Sequence, residues 1–181
     1  MALFKTFHQL GYVVKDLDSA MDHWHQKLGV GPFFVTRRLS FKSFNYLGNP
    51  SSPIITMAIS HFGETQIELI QQHNDAPSGY QYFLQNGNEG LQHMGVFSDH
   101  FEHDLEHCLN RGWHIEHEAI SPMDGITKFV YLSADGPPGT VVEILEMTPE
   151  KHQRFEHIRQ VCHQWNGIDQ PVRELGFSNG K

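Results

Sequence analysis

The chain has 181 residues, of which 39% are hydrophobic and 19% are charged, a composition typical of a soluble globular protein with a sizeable core. Its formal net charge of −8 argues against nucleic acid as a partner, because nucleic-acid binding rewards a basic surface. No apolar run approaches the roughly 18 residues of a membrane span, and the N-terminal stretch lacks the apolar segment of a secretory signal.

The first predicted elements are a strand and a helix. The strand "HQLGYVV" turns at Asp16 into a segment with apolar residues at three- and four-residue steps, namely Leu17, Ala20, Met21, Trp24 and Leu28. Gly29 then ends this helix as a C-cap glycine. About three strands follow, and the last two, within "SSPIITMAISHFGETQIELIQQ", are joined by a tight "FGET" turn.

The same order of elements returns in the second half of the chain. The connector "HNDAPSGYQYFLQNGNEG" is rich in turn formers. A second strand, "QHMGVF", turns at Asp99 into a helix that we expect to end at Gly112, and two further strands lie in "ITKFVYLSADGPPGTVVEILEM". The closing strands of the two halves, "TQIELIQ" and "TVVEILE", are nearly identical.

This duplication predicts an α+β fold of two βαβββ modules, about 7–72 and about 91–147, within one domain of residues 1–147. Thr148 as a cap and Pro149 at the first helical position predict a C-terminal helix. That helix and an extended or loosely ordered tail would make up residues 148–181.

Glu68 and Glu143 occupy matching positions in the two closing strands. Side chains alternate along a strand, so the apolar Ile67 and Leu69 face away from Glu68. A lone Glu in a strand is more often an exposed residue, but carboxylates at matching positions of a repeat favour an inward-facing site. Carboxylates are rarely buried unless they are paired or bound to a metal.

The opening strands contribute a second matched pair. Aligning Gly11 with Gly95 places Gln9 at the position equivalent to His93, and alternation turns His8 to the opposite face. His8 stays the alternative to Gln9, because a one-residue bulge could turn it inward. The inward set, with two residues from each half, is therefore Gln9, Glu68, His93 and Glu143.

The motifs "GYVVKDLDSAMDHWHQKLGVGPF", "TQIELIQ", "QHMGVF" and "DGPPGTVVEILEM", in this order, resemble the vicinal oxygen chelate superfamily. That superfamily includes glyoxalase I, methylmalonyl-CoA epimerase, extradiol dioxygenases and antibiotic-binding resistance proteins. The resemblance covers nearly all of residues 7–147 and implies that the two modules curl into an open, partial β-barrel.

The resemblance also implies one divalent metal ion, of Zn, Ni, Co, Mn or Fe, held by one residue from each motif strand. The ligands would be Gln9, Glu68, His93 and Glu143. In glyoxalase-like members the first ligand is usually a His seven residues before the Asp of the "DL" turn, and here that position holds Gln9. A glutamine carbonyl is a weaker ligand than imidazole for zinc-like ions.

An ion held in this way would polarise a carbonyl and favour loss of a proton from the adjacent carbon. We expect Glu143 to be the catalytic base, with Glu68 as a second catalytic carboxylate. The function implied is a metal-dependent lyase or isomerase, similar to lactoylglutathione lyase or to an acyl-CoA epimerase. The epimerases carry an additional catalytic Glu between the first helix and the second metal strand, whereas residues 39–63 contain no acid.

Two alternatives stay open at this point, and in the first of them the protein is not an enzyme. A non-catalytic protein that binds a small molecule, of the bleomycin-resistance type, is favoured by the Gln in place of the usual His. An extradiol-type dioxygenase needs two His residues and one carboxylate on iron, and would therefore require His8 at the site.

The expected partner is a small-molecule substrate, with no nucleic acid and no membrane. The aromatic and basic stretch "GVGPFFVTRRLSFKSFNY" indicates either a core strand with a solvated edge or a pocket wall for an anionic or acyl-thioester group. The C-terminal helix could cap the cavity or cover a second subunit, and a homodimer would cover exposed sheet edges. Cys108 and Cys162 are too few for a disulfide framework, so we expect a reducing, cytoplasmic setting.

Overall fold

The computed structural model describes residues 4–135 and 139–175. The helices in this part of the chain are α1 (Leu17–Leu28), α2 (Gly79–Gln85), α3 (Phe101–Leu109) and α4 (Pro149–Gln164). The strands are β1 (Gln9–Val13), β2 (Phe33–Ser40), β3 (Phe44–Tyr46), β4 (Asn49–Pro50), β5 (Ile54–Phe62), β6 (Thr65–Gln72), β7 (Gly90–Ser98), β8 (Trp113–Ile120), β9 (Lys128–Ala134), β10 (Val141–Glu146) and β11 (Val172–Glu174). Part of the predicted "SADGPPG" turn and the end of the tail, residues 176–181, lie outside the described residues. None of the four helices is both long and apolar enough to cross a bilayer.

The described strands form one curved sheet in the order β11-β2-β5-β6-β1-β7-β10-β9-β8-β3-β4. The two halves of the chain meet where β1 runs antiparallel to β7. On either side of this seam the closing strand of each half runs parallel to its opening strand, β6 beside β1 and β10 beside β7. The predicted α+β fold, an open sheet built from two repeats with a C-terminal helix, is confirmed.

Helices cover both faces of the sheet. On the outer face, Leu17 and Met21 of α1 pack on Ile67 and Leu69, while α3 packs on the equivalent strand of the second half. The alternation of β6 therefore turns Glu68 to the inner face, as the sequence pattern predicts. On that inner face lie α2 and α4.

Capping residues set the helix ends. The Asp16 side chain accepts a hydrogen bond from the Ser19 N–H at 2.8 Å, and Gly29 closes α1 in the left-handed conformation with a φ of 66°. The expectation for the second helix was wrong by two residues, because α3 ends at Leu109 with Asn110 as its C-cap, before Gly112.

The connector contains a helix that its turn-rich composition did not suggest. α2 begins after Ser78, whose side chain accepts a hydrogen bond from the Gln81 N–H at 3.0 Å. Tyr80 is buried in the core of the inner face. This tertiary burial stabilises a helix that is too short to persist alone.

A hairpin from the first half pairs with the second half. β3 runs antiparallel to β8, so that Phe44 lies opposite Ala119 at the far end of the sheet from β2. Only residues 41–43 separate β2 from β3, and the four residue steps involved span at most about 14 Å. The two ends of the sheet must therefore approach each other, and the hairpin bridges the open side of the barrel.

The seam between β1 and β7 depends on two glycines. Gly11 lies opposite His93, and Gly95 lies opposite Gln9. A Cβ atom on Gly11 would lie 1.8 Å from Cε1 of His93, and one on Gly95 would lie 2.5 Å from Oε1 of Gln9. Each inward side chain thus crosses the backbone of the other half, and only glycine leaves room for it.

We predict that Gly11→Ala destabilises the protein by about 1–3 kcal/mol, because the new methyl group collides with the buried His93 ring. Urea denaturation would measure the loss. In the double variant Gly11→Ala/His93→Ala the collision is absent, so the loss should be smaller than the sum of the two single losses. Additive losses would show that the ring does not restrict this position.

Candidate metal centre

Three side chains converge on the inner face near the seam. Nε2 of His93 lies 3.4 Å from Oε2 of Glu68 and 3.7 Å from Oε2 of Glu143. Each of the three residues offers one potential ligand atom, and these three atoms lie within 4.8 Å of one another. All three residues are buried, with 7% of Glu68, 1% of His93 and 5% of Glu143 exposed.

The sheet register explains why these residues meet. Glu68 lies beside Gly11 on one side of the seam, and Glu143 lies beside Gly95 on the other. Because the glycines carry no side chain, the carboxylates lean over them toward the residues that cross from the other half. The group therefore draws on both repeats, although Glu68 and Glu143 are far apart in the sequence.

Gln9 lines the same cavity as the two carboxylates and is buried. Its Nε2 donates a hydrogen bond of 2.8 Å to Oε1 of Gln66, which lies opposite it on β6. His8 points elsewhere, since its Nδ1 accepts a hydrogen bond from the Phe97 N–H at 3.1 Å and its ring stacks on Phe97. The structure thus gives the inward position on this strand to Gln9.

Two polar residues that sequence reasoning missed hold His93 in place. A register shift between β1 and β7 sets Gln92 and His93 together against Gly11, and this bulge lets Gln92 reach its neighbour. Nδ1 of His93 donates to Oε1 of Gln92 at 2.8 Å, which leaves Nε2 as an acceptor. The Tyr131 hydroxyl contacts that Nε2 at 3.4 Å. Such contacts set the tautomer and orientation of a ligating imidazole.

Burial controls the charges of the group. It raises the pKa of Glu68 to about 8, and burial together with the neighbouring Glu68 carboxylate raises the pKa of Glu143 to about 7. Burial lowers the pKa of His93 to about 4. Near neutral pH the imidazole is therefore neutral, and the carboxyl groups retain protons that exposed carboxyl groups would have lost.

The donor set fits a divalent cation. Oε2 of Glu68, Oε2 of Glu143 and Oε1 of Gln9 are buried and have no hydrogen-bond partner among the described residues. Buried carboxylate oxygens without partners are costly, and a cation would supply the missing partner. Two carboxylates, an imidazole and an amide carbonyl form a mixed oxygen and nitrogen set that suits first-row divalent metals.

The cavity above this group is mainly apolar and is covered by α4. Phe41, Met57 and Phe129 form part of its wall, and Lys151 and Phe155 come from α4. Of the two roles considered for the C-terminal helix, the structure therefore shows the cap on the cavity.

The basic residues of β2 do not line the cavity, although Phe41 from the same aromatic and basic stretch does. Arg37 instead forms ion pairs on the exposed surface with Asp18 and Glu174, both at 2.9 Å. Phe33 and Phe34, from the same stretch, are buried in core clusters. The structure thus supports the interpretation of β2 as a core strand with a solvated edge, while Phe41 after it contributes apolar wall to the cavity.

Comparison with known proteins agrees with this geometry. The sequence profile of the glyoxalase/bleomycin resistance protein/dioxygenase superfamily matches residues 8–131. The chain belongs to this superfamily. No curated protein matches the chain at a significant level.

Solved structures show the fold of the superfamily at low sequence identity. Methylmalonyl-CoA epimerase from Mycobacterium tuberculosis has a TM-score of 0.57 at 16% identity, over 84% of this chain and 95% of that chain. A hypothetical protein from Bacillus halodurans C-125 has a TM-score of 0.55 at 15% identity, over 79% and 94%. A Streptomyces coelicolor methylmalonyl-CoA epimerase variant in complex with 2-nitronate-propionyl-CoA has a TM-score of 0.52 at 15% identity, over 79% and 94%.

We predict that without metal the protein loses at least about 1 kcal/mol of stability between about pH 6.5 and 8. In this range the unfolded chain has already ionised both carboxyl groups, whereas the fold still holds protons on Glu68 and Glu143 until their pKa values of about 8 and 7 are passed. Stability conferred by a raised pKa is lost as the pH rises through it. The lowered pKa values of His61, His93 and His117 act in the opposite direction, because unfolded imidazoles, with a pKa of about 6.5, are still partly protonated at the lower end of this range, but their effect is smaller than that of the two carboxyl groups. Thermal unfolding in the presence of a chelator would measure this loss.

The matched variant for this measurement is Glu68→Gln, which keeps the shape of the side chain and removes its titration. It should lose less stability than the wild type over the same pH range. A wild-type protein whose stability is constant or rises with pH would contradict the burial of these carboxyl groups.

Proposed function

We propose that the protein is a metal-dependent isomerase or lyase of the glyoxalase type, which moves a proton at a carbon next to a carbonyl group of a small-molecule substrate. One observation carries this proposal. Carboxylates from both repeats and an imidazole lie together in a buried cavity, with carboxylate oxygens that have no partner among the described residues.

We propose that one divalent metal ion, of Zn, Ni, Co, Mn or Fe, is held by Gln9, Glu68, His93 and Glu143. When bound, such an ion would polarise the substrate carbonyl and so acidify the adjacent C–H bond. The hydrogen bond from Nδ1 to Gln92 would keep Nε2 of His93 available to the ion, and the long contact of the Tyr131 hydroxyl with Nε2 would have to give way to it.

Glu143 is the base in this proposal, and its carboxylate would have to release the ion in order to act. It lines the cavity, its Oε2 has no partner within the described part of the chain, and its pKa is raised to about 7 by burial. A base is most efficient when its pKa lies near the working pH. Its carboxylate takes the proton of the C–H bond, the electron pair of that bond moves toward the carbonyl oxygen, and the proton is then returned to carbon.

Glu68 lies on the other side of the seam and could return a proton from that side. In the metal-free protein its pKa is raised to about 8, above that of Glu143. Strand β5, which precedes β6, offers no third carboxyl group, because its residues that line the cavity are Ile55, Met57 and Ile59. The additional glutamate expected of an epimerase therefore has no counterpart on this strand, and proton transfer would rely on the two buried carboxyl groups.

Methylmalonyl-CoA epimerases are among the structural neighbours, and one of them is bound to an acyl-CoA analogue. An acyl thioester is accordingly our first substrate class, and a glutathione hemithioacetal is the second. We further propose that residues 1–147 form the catalytic unit, that residues 148–181 form its cover and tail, and that the protein acts as a cytoplasmic homodimer.

A non-catalytic protein that binds a small molecule is the second candidate. The mainly apolar cavity wall and the amide of Gln9 in the first ligand position favour it. For a dioxygenase the site lacks a second imidazole among the described residues, since His8 is hydrogen-bonded to Phe97, and we do not propose that function.

We predict that the purified protein binds about one equivalent of a divalent metal, and that Glu68→Gln and Glu143→Gln each weaken this binding at least about tenfold, because an amide is a poorer ligand than a carboxylate. Elemental analysis and calorimetry would measure stoichiometry and affinity. Glu118→Gln is the matched control, since Glu118 is exposed and hydrogen-bonded to Asn45. Unchanged affinity in both site variants would overturn the metal centre.

We predict that the metal-loaded protein exchanges the proton next to the carbonyl of methylmalonyl-CoA, or of the glutathione–methylglyoxal hemithioacetal, for deuterium in heavy water. Glu143→Gln should slow this exchange about 100-fold or more, because general-base catalysis contributes a factor of this order. Proton NMR would follow the loss of the signal. Exchange at the wild-type rate in Glu143→Gln would exclude Glu143 as the base. A metal-loaded protein that exchanges neither substrate would favour the binding protein.

A further inference from the structure

Lys151 on α4 is an ammonium group buried in the wall of the cavity. Only 6% of the residue is exposed, and it lines the same cavity as Glu143. Its Nζ donates to Oγ1 of Thr127 and lies 3.5 Å from Oδ2 of Asp124. A buried charge is costly unless it is well paired. Lysine at this position therefore requires a reason beyond packing.

The pairing with Asp124 is weak. Oδ1 of Asp124 already accepts hydrogen bonds of 2.9 Å from the N–H groups of Ile126 and Thr127, and its Oδ2 accepts the Thr127 hydroxyl at 2.7 Å. The separation of 3.5 Å from Lys151 exceeds the roughly 2.7–2.9 Å of a charge-assisted hydrogen bond. An ammonium has three N–H donors, so at least one is available to a ligand in the cavity.

A second cation lies one helical turn further along α4. Arg154 also lines the cavity, is exposed, and forms no ion pair with any residue of the described part of the chain. Residues three apart on a helix lie on the same face. Phe41, Met57 and Phe129 form apolar wall elsewhere in the same cavity. The cavity therefore combines an apolar wall, a metal-binding group and a positive helix face.

We propose that Lys151 and Arg154 form an anion subsite, and that the substrate joins an apolar body to an oxyanion group, either a carboxylate or a phosphate ester, which α4 recognises. The planar guanidinium can grip such a group with two hydrogen bonds, and the ammonium supplies a third donor. This inference deepens the proposed function, on which it rests for the reaction itself, by naming the substrate class. It gives α4 a role in specificity as well as in covering the cavity.

The test uses metal-free protein at about pH 6, so that no bound metal contributes to the binding of the anion. Calorimetry would compare phenylbutyrate, phenylpropyl phosphate and the neutral phenylbutanamide. We expect at least one of the two anions to bind about tenfold more tightly than the amide. The stronger of the two identifies the oxyanion as a carboxylate or a phosphate ester.

Two substitutions separate recognition from a structural role of Lys151. Lys151→Met should abolish most of the preference for the anion, whereas Asp124→Asn should strengthen anion binding, because it removes the carboxylate that competes for the ammonium. Asparagine keeps the Oδ1 acceptor that Asp124 uses in its loop. If Lys151 only anchors α4 to this loop, both variants would change anion binding in the same direction, and that result overturns the proposal.

The exposed Arg154 gives a variant that does not depend on the stability of the fold. Arg154→Gln should weaken anion binding several-fold, while the control Arg159→Gln should not, because Arg159 pairs with Glu64 and Glu156 outside the cavity. Equal binding of the anions and the amide by the wild type, or no measurable binding of either anion, would also overturn the subsite. Such a failure would leave metal binding and proton exchange unaffected, so the two proposals can fail separately.

Discussion

The site depends on the antiparallel pairing of β1 and β7, in which each strand places an inward side chain over a glycine of the other. His93 lies over Gly11 and Gln9 lies over Gly95, and each glycine makes room for a side chain from the other half. As a result, the closing strand of each repeat lies close to an inward side chain from the opening strand of the other repeat. A side chain at either glycine would displace the residues that make up the group. The site therefore depends on the close pairing of the two repeats at these glycines.

The seam produces an electrostatic conflict that a cation would relieve. Two carboxyl groups and an imidazole share a buried volume. Burial raises the pKa of Glu68 and Glu143 and lowers the pKa of His93. Without a cation, burial favours the neutral forms of all three side chains. With one, the ionised carboxylates become the favoured forms. The same burial that makes the metal-free group costly makes it suited to proton transfer.

The β3–β4 hairpin and the C-terminal helix close the sheet around this group. The β3–β4 hairpin leaves the first half and pairs with β8, which draws the ends of the sheet together. The C-terminal helix α4 lies over the inner face and brings Lys151 and Arg154 into the cavity wall. In this arrangement the repeats supply the buried carboxyl and imidazole groups together with much of the apolar wall, and α4 adds two cationic side chains to that wall.

Much of the fold could be predicted from local patterns. The apolar spacing of α1, its Asp16 cap and its Gly29 end, and the alternation that turns Glu68 away from Ile67 are all encoded within a few residues. The internal repeat then supplied the long-range information, because matching positions in two copies of one unit must lie in equivalent places. That is why Gln9 and His93 could be placed as a pair from the sequence.

What the sequence by itself determined is therefore the repeat, its strand alternation and the inward set that follows from it. The tertiary structure decided the rest. The short α2 forms because Tyr80 is buried in the core, and Gln92 reaches Nδ1 of His93 only through a bulge created by strand pairing. The position of Lys151 in the cavity wall follows from how α4 packs across the sheet. These features arise from contacts between segments that are distant in the chain. The residues within any one of these segments show no local pattern that predicts the contact.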